Sequence, residues 1–314
     1  MSGADLRSHL RFDSGAWRRF AELGCVYGPE WWKRASPPVI AAIIYAVARR
    51  NRQIVRRNQR GVRGPASAVR EHWRAYRVFA SFARAMTESM EQWGPLPRPL
   101  RVDTIGQDIF DAALAEGRGL VVATGAFGSW EAGARRLATT GRPVHMVMAH
   151  EVNPTVREFV HRMRTHHGVG VIYSDQSPLG GVPILKALRR HEVVCMKIES
   201  RGGSTTVPFF GRPTHFQVGP FAVARVAGAP LVPVFVLRRG LRHYELHITG
   251  RYDVRTPAEA HTALVHTVRS YEELIRAHPT QWQMFEDVWP ETAGTDAPAT
   301  SYEMVPQAVG LRRR

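Results

Sequence analysis

The rhythm of apolar positions changes once along the chain, near residue 100. Before that point it is helical. Residues 39–48 are almost wholly apolar, and Ser36 followed by Pro37-Pro38 reads as an N-cap with prolines in the first turn, so a helix is predicted to open there. Val69, Trp73, Tyr76, Ala80, Ala83, Met86, Met90 and Trp93 then recur at steps of three and four, which predicts a second long helix packed on a core. Gly94-Pro95-Leu96-Pro97-Arg98-Pro99 stops it. Beyond, short apolar runs at residues 120–124, 144–148, 169–173, 193–198 and 231–237 are separated by helical segments, and residues 244–249 add a strand of alternating character. Strands alternating with helices predict an α/β sheet with functional groups in loops at strand ends.

The 314 residues are accordingly divided into an N-terminal helical extension (1–97), an α/β core (98–292) and a loosely ordered, finally basic tail (293–314). No run reaches the about 18 to 20 apolar residues of a spanning helix, and residues 1–13 lack the apolar core of a signal peptide. The cysteines, Cys25 and Cys195, are far apart and suggest neither a metal site nor a disulfide framework, so a reduced, cytosolic setting is expected.

Charge adds a direction. With 43 Lys+Arg against 27 Asp+Glu, a formal +16, the chain is drawn to phosphate-rich surfaces or acidic proteins. Arg49, Arg50, Arg52, Arg56, Arg57, Arg60 and Arg63 follow the apolar stretch with no acid between them, as a helix lying in an anionic interface requires; a solvated face on a helix buried from its other side is the alternative. Trp17, Phe20, Tyr27, Trp31 and Trp32 among Arg18, Arg19, Lys33 and Arg34 suit either a headgroup interface or ordinary packing. Nucleic acid is not expected as a partner, because no helix-turn-helix, zinc-finger or aromatic RNA-binding signature accompanies the arginines.

The candidate chemistry lies where the run at 120–124 enters Gly125-Ala126-Phe127-Gly128-Ser129-Trp130-Glu131, with Ser129 placed to cap a following helix. This segment resembles the loop of the lipid A biosynthesis lauroyl/myristoyl acyltransferase family, in which a histidine precedes Phe-Gly-Asn/Ser-Trp-Glu. Val207-Pro208-Phe209-Phe210-Gly211-Arg212-Pro213, the blocks beginning Gly219-Pro220-Phe221 and Gly228-Ala229-Pro230, and Gln281-Trp282-Gln283-Met284-Phe285 are similar to further blocks of that family. Trp31-Trp32 and Arg56-Arg57-Asn58 have counterparts too, so the resemblance covers roughly residues 25 to 290.

The resemblance implies a central mixed sheet flanked by helices, of the glycerol-3-phosphate acyltransferase type. It implies transfer of a fatty acyl group from an acyl-carrier-protein or coenzyme A thioester to a hydroxyl or amine of an amphipathic acceptor, with no metal or other cofactor. The place of action it implies is cytoplasmic, peripheral on the inner face of the cell membrane. The family's histidine is the general base and the carboxylate five positions on orients it, which puts Glu131 in that role and Ala126 in the histidine's place. Alanine cannot move a proton, so the chain is expected to be impaired: either a deliberately inactivated variant, which the intact flanks favour, or a natural descendant that changed its chemistry. A non-catalytic protein that binds acyl-lipid or acyl carrier protein is the competing class. His145, His150, His161, His166 and His167 show no comparable spacing.

Glu199 and Arg201 stand where the family has an acidic residue followed by Arg or Gln; they are assigned to the base and to a phosphate, or else to mutual neutralisation. Arg212 and Arg225 are the remaining candidate phosphate ligands, Arg225 more as a structural ion-pair partner. Phe127, Gly128 and Trp130 complete the expected substrate-binding set, Gly128 chiefly as a turn former.

Overall fold

The computed structural model describes residues 23–92, 97–149, 168–174, 180–199 and 203–289. The described part of the extension contains three long helices, α1 (Glu30–Val47), α2 (Arg49–Arg63) and α3 (Ala68–Glu91). The expected helix start at Ser36 is displaced by two turns, because α1 runs through Pro37 and Pro38. Those prolines forfeit two intrahelical bonds. The early turns are held instead by tertiary contacts: Pro37 and Ala41 are buried, Tyr76 Oη donates to the Pro38 carbonyl at 3.1 Å, and Glu30 pairs with Arg242 at 2.8 Å.

One residue, Ala48, separates α1 from α2. The carbonyls of Tyr45 and Ala46, freed by the break, each accept from Arg52 Nη1 at 2.9 Å. The arginine run is largely occupied within the protein. Arg56 and Arg60 converge on buried Glu71, and Arg57 pairs with Asp287. The solvated-face and interfacial alternatives are left with Arg49, Arg50 and Arg63, which are exposed and have no acidic partner among the described residues.

The α/β part follows in the order β1 (Arg101–Ile105), α4 (Gln107–Ala115), β2 (Leu120–Thr124), α5 (Trp130–Ala138), β3 (Val144–Met148), β4 (Val169–Tyr173), α6 (Gly181–Arg189), β5 (Val193–Lys197), β6 (Thr205–Phe209), β7 (Arg212–Phe216), α7 (Gly219–Ala227), β8 (Leu231–Gly240), β9 (His243–Ile248) and α8 (Pro257–Ala277). Seven strands form one mixed sheet, β1-β9-β8-β2-β5-β3-β4; β8 and β9 are antiparallel, and the other neighbours are parallel. The α/β expectation holds, with the mixed sheet flanked by helices. β6 and β7 form a separate hairpin whose turn, Phe210-Gly211, has φ of 51° and 72°.

Every residue of β2 is buried, as a parallel strand covered on both faces requires. One face packs Phe221, Phe235, Tyr271 and Trp282 beneath α6, α7 and α8; the other packs Phe110, Leu137 and Tyr244 beneath α4 and α5. A capping box, Thr256 with Glu259, starts α8. The topology also locates a crevice. From β2 the chain crosses to β3 on one side of the sheet, whereas from β5, the neighbour of β2, it returns to β8 on the other. The carboxyl ends of β2 and β5 thus flank a topological switch point, the usual ligand crevice of such sheets. The tail at 293–314 lies outside the described residues.

Candidate active site

The loop leaving β2 is held through its backbone on both sides of residue 126. Ala126 N donates to a carboxylate oxygen of Glu199, two residues beyond β5, and Gln283 N donates to the Ala126 carbonyl at 2.8 Å. Phe127 pairs with Trp282 as an isolated antiparallel bridge, and Gly128 N donates to the Gln281 carbonyl at 2.9 Å. Residues 281–283 therefore act as a one-residue strand laid against the loop.

Two glycines are required on steric grounds. A Cβ at Gly125 would lie 2.6 Å from Tyr271 Cζ; at Gly128, where φ is +59°, it would lie 1.8 Å from the Val236 carbonyl oxygen. Gly128 therefore shapes the loop against β8, as the sequence suggested for its turn-forming role.

Glu199 is buried with three donors around it. Tyr271 Oη reaches Oε1 at 2.8 Å, Trp282 Nε1 reaches the same atom at 2.9 Å, and the loop amide takes Oε2. Burial pushes the carboxyl above its ordinary pKa, opposed by these three hydrogen bonds and by Lys197. Burial together with the neighbouring carboxylate drives the Tyr271 hydroxyl well above its usual value, so it acts as a proton donor in the hydrogen bond and not as an acid. The Tyr271 ring is held by stacking on Phe235, with centroids 4.7 Å apart.

Between residues 120 and 129 only the residue at 126 is not buried. Its amide and carbonyl are both engaged, and its side chain, half-buried, packs against the edge of the core that holds Phe127 and Tyr271. Glu131 lies in the first turn of α5, half-buried, and its charge contributes to raising the Tyr244 pKa. Ser129 occupies the N-cap position without a side-chain cap bond. Phe127 packs into the core beneath α8, and Trp130 against the opposite one.

Arg212 and Arg225 are both exposed, and among the described residues neither forms a hydrogen bond or ion pair with the loop. The Arg212 guanidinium lies 5.4 Å from the centre of the Trp289 ring. Arg201 lies outside the described residues, as do His150, His161, His166 and His167. His145 pairs with Glu192 at 2.8 Å on β3.

The structure adds residues that sequence reasoning did not place in the site. Tyr271 resembles any other core-facing residue of α8. Gln281, Trp282 and Gln283 had a signal, the similarity of their block to the family, but no role. Asn58 and Gln59 reach the same segment from α2: Asn58 Nδ2 donates to the carbonyls of Met284 (3.1 Å) and Glu286 (2.7 Å), and Gln59 Nε2 to that of Pro279 (2.8 Å). The helical extension therefore holds the segment that holds the loop.

Residues 24–291 match the family described as bacterial lipid A biosynthesis acyltransferase. The chain belongs to that family. It is also similar to the phosphatidylinositol mannoside acyltransferases of Mycobacterium tuberculosis strains CDC 1551 / Oshkosh and ATCC 25618 / H37Rv, 28% identical to each over 190 residues. The alignment covers 59% of this chain and 58% of each relative, so the similarity spans less than two thirds of their length. The loop at 125–131 lies within the matched residues.

Proposed function

We propose that this member of the acyltransferase family has a site for moving a fatty acyl group from an acyl-carrier-protein or coenzyme A thioester to a hydroxyl or amine of an amphipathic acceptor. The observation that carries this reading is residue 126, whose backbone is pinned on both sides and which alone of residues 120–129 is not buried, at the carboxyl ends of β2 and β5. A base at this position would meet an acceptor with little loss of orientation. It would take the acceptor's proton as the oxygen or nitrogen attacks the thioester carbon, and the departing thiolate would then receive that proton. The transfer balances without a further reactant or cofactor.

In this reading Glu131 orients the base, and Glu199 is a positioning residue that fixes the loop through its amide. Phe127, Gly128 and Trp130 shape the wall, and Arg201, Arg212 and Arg225 are candidate partners for phosphates of donor or acceptor. The relatives' name makes a glycosylated phosphoinositide one acceptor worth testing; a lipid A precursor is another. The site would work at the inner face of the cell membrane, where acyl carriers and amphipathic acceptors meet.

Ala126 supplies no base, and loss of one commonly costs about 10² to 10⁴ in rate. The test compares the protein with Ala126→His, following thiol release and product mass with both donors over an acceptor panel. Transfer gained with histidine supports the proposal. If neither form turns over any donor but both bind acyl carrier protein or acyl-lipid, the second reading, a binding protein without turnover, takes its place; the alanine itself favours that reading.

A further inference from the structure

The segment that braces the loop after β2 carries a polar group with no use inside the fold. Gln283 is half-buried, and its Nε2 is shielded from solvent with no hydrogen-bond partner among the described residues. A buried donor left without a partner is costly, and native proteins seldom keep one without a purpose. Gln281, two residues earlier, shows the contrast: both ends of its side-chain amide are engaged by the main chain of Arg238.

The pairing of the two segments places this donor beside position 126. Phe127 and Trp282 are directly opposite in an antiparallel bridge, and both side chains enter the same core. Side chains alternate along each strand, and opposite residues share a face. Residues 126 and 283 form the flanking pair, joined by Gln283 N to the Ala126 carbonyl at 2.8 Å. They therefore project together on the side away from the Phe127 and Trp282 rings, with Cβ atoms roughly 5 Å apart. The other flanking pair has the same arrangement, since a Cβ at Gly128 would stand 3.5 Å from Gln281 Oε1.

Donors that could otherwise serve chemistry at position 126 are already spent. The amides of Ala126, Phe127 and Gly128 go to Glu199, to the Gly125 carbonyl and to the Gln281 carbonyl. Tyr271 Oη and Trp282 Nε1 are both held by Glu199. Acyl transfer needs a donor aimed at the oxygen on which charge develops, and loop amides commonly supply it. We propose that Gln283 supplies it here, donating from Nε2 to the carbonyl oxygen of the acyl thioester.

As the acceptor's oxygen or nitrogen adds to the thioester carbon, the carbonyl π pair moves onto that oxygen, and Gln283 stabilises the oxyanion. When the carbonyl re-forms, the carbon–sulfur bond breaks and its pair leaves with sulfur, which takes the proton removed from the acceptor. The backbone carrying the donor is fixed, because Asn58 Nδ2 donates to the next carbonyl, that of Met284, at 3.1 Å. Only the soft terminal torsion of the glutamine has to turn to present its N–H.

This role rests on the acyl-transfer reading of the same site, and the experiment separates the two. The protein carrying Ala126 is mixed with acyl-coenzyme A and with acyl carrier protein bearing the same acyl group, each isotope-labelled at the thioester carbonyl. Infrared difference spectra then read the carbonyl stretch of the bound donor. The stretch should fall to lower frequency on binding, and the fall should vanish in Gln283→Leu and Gln283→Glu, neither of which supplies an amide N–H. A thioether analogue of acyl-coenzyme A, which lacks the carbonyl, should bind the parent and Gln283→Leu alike. Gln283→Leu should also be at least as stable as the parent in chemical denaturation, because it removes an unpartnered donor. In the Ala126→His protein the same change should lower kcat about 10² to 10³-fold with KM little altered. An unchanged carbonyl frequency in folded Gln283→Leu, or an equal loss of affinity for the thioether, overturns the proposal and leaves acyl transfer standing. A marked loss of stability in Gln283→Leu overturns it too, by showing that Nε2 serves the fold. If the parent binds neither thioester, the acyl-transfer reading fails and the role of Gln283 falls with it.

Discussion

The side-chain amide of Gln281 lies against the main chain of Arg238, accepting from its amide and donating to its carbonyl, each at 2.8 Å. It completes the edge of β8 as a neighbouring strand would, while its own carbonyl receives Gly128. Gln281→Ala leaves both groups of Arg238 without partners, at a cost of about 1 to 3 kcal/mol. Gln281→Glu keeps an acceptor but loses the donor and should fall between. Chemical denaturation of the three proteins tests the order.

Glu199 and its donors predict a pH dependence with a definite sign. Its folded pKa is raised, so the native state holds a proton that the unfolded chain has released. Its contribution therefore falls as pH rises from the ordinary 4.5 through the raised folded value. Glu199→Gln should remove this part of the slope, but it sets an amide donor against the amide of Ala126 and should lower stability near neutrality. Tyr271→Phe and Trp282→Phe each remove one donor and should displace the falling limb to higher pH. The measurement is melting temperature against pH, expressed as the difference from the parent.

Acid should act on the helical extension in the opposite sense. Hydrogen bonding to Arg60 holds Glu71 near 2, and hydrogen bonding to Arg242 does the same for Glu30. Both folded values are depressed, so the stability they contribute is present above the ordinary 4.5 and is lost as pH falls toward about 2. Glu71→Gln should flatten that loss when helix content is followed by circular dichroism during acid titration.

Two glycines with left-handed φ should respond differently to alanine. Gly64 has φ of +73° and ψ of 167° with nothing near its would-be Cβ, so Gly64→Ala costs only the backbone strain, about 1 to 3 kcal/mol. Gly128→Ala adds an overlap with the Val236 carbonyl that no rotamer relieves. The second variant should unfold at distinctly lower denaturant than the first, or fail to accumulate as folded protein.

Contiguous features were legible in the sequence, and those assembled across the fold were not. The runs at 120–124, 144–148 and 169–173 are strands with those bounds, the first because burial on both faces makes it apolar throughout. β1 escaped notice: Arg101 and Asp103 pair with each other on an edge strand that has no run to read. The motif loop was found because its residues are adjacent. Tyr271 was missed because only the packing of α8 over β5 aims its hydroxyl at Glu199. The ion pairs of the arginine run were not legible for the same reason: the carboxylates that hold Arg56, Arg57 and Arg60, Glu71 and Asp287, come from α3 and from a segment 230 residues beyond Arg57 in sequence.

The grip of Asn58 and Gln59 on residues 279–286 has a consequence for how such proteins can be altered. A helical extension that is merely attached can be trimmed, exchanged between relatives or replaced by a tag without harm to the rest of the fold. Here α1 continues through a one-residue joint into α2, which props the segment shaping the catalytic loop. Shortened forms prepared for solubility, and chimeras joined after residue 91, should therefore lose the geometry around position 126, so the two halves have to be inherited and engineered as a pair.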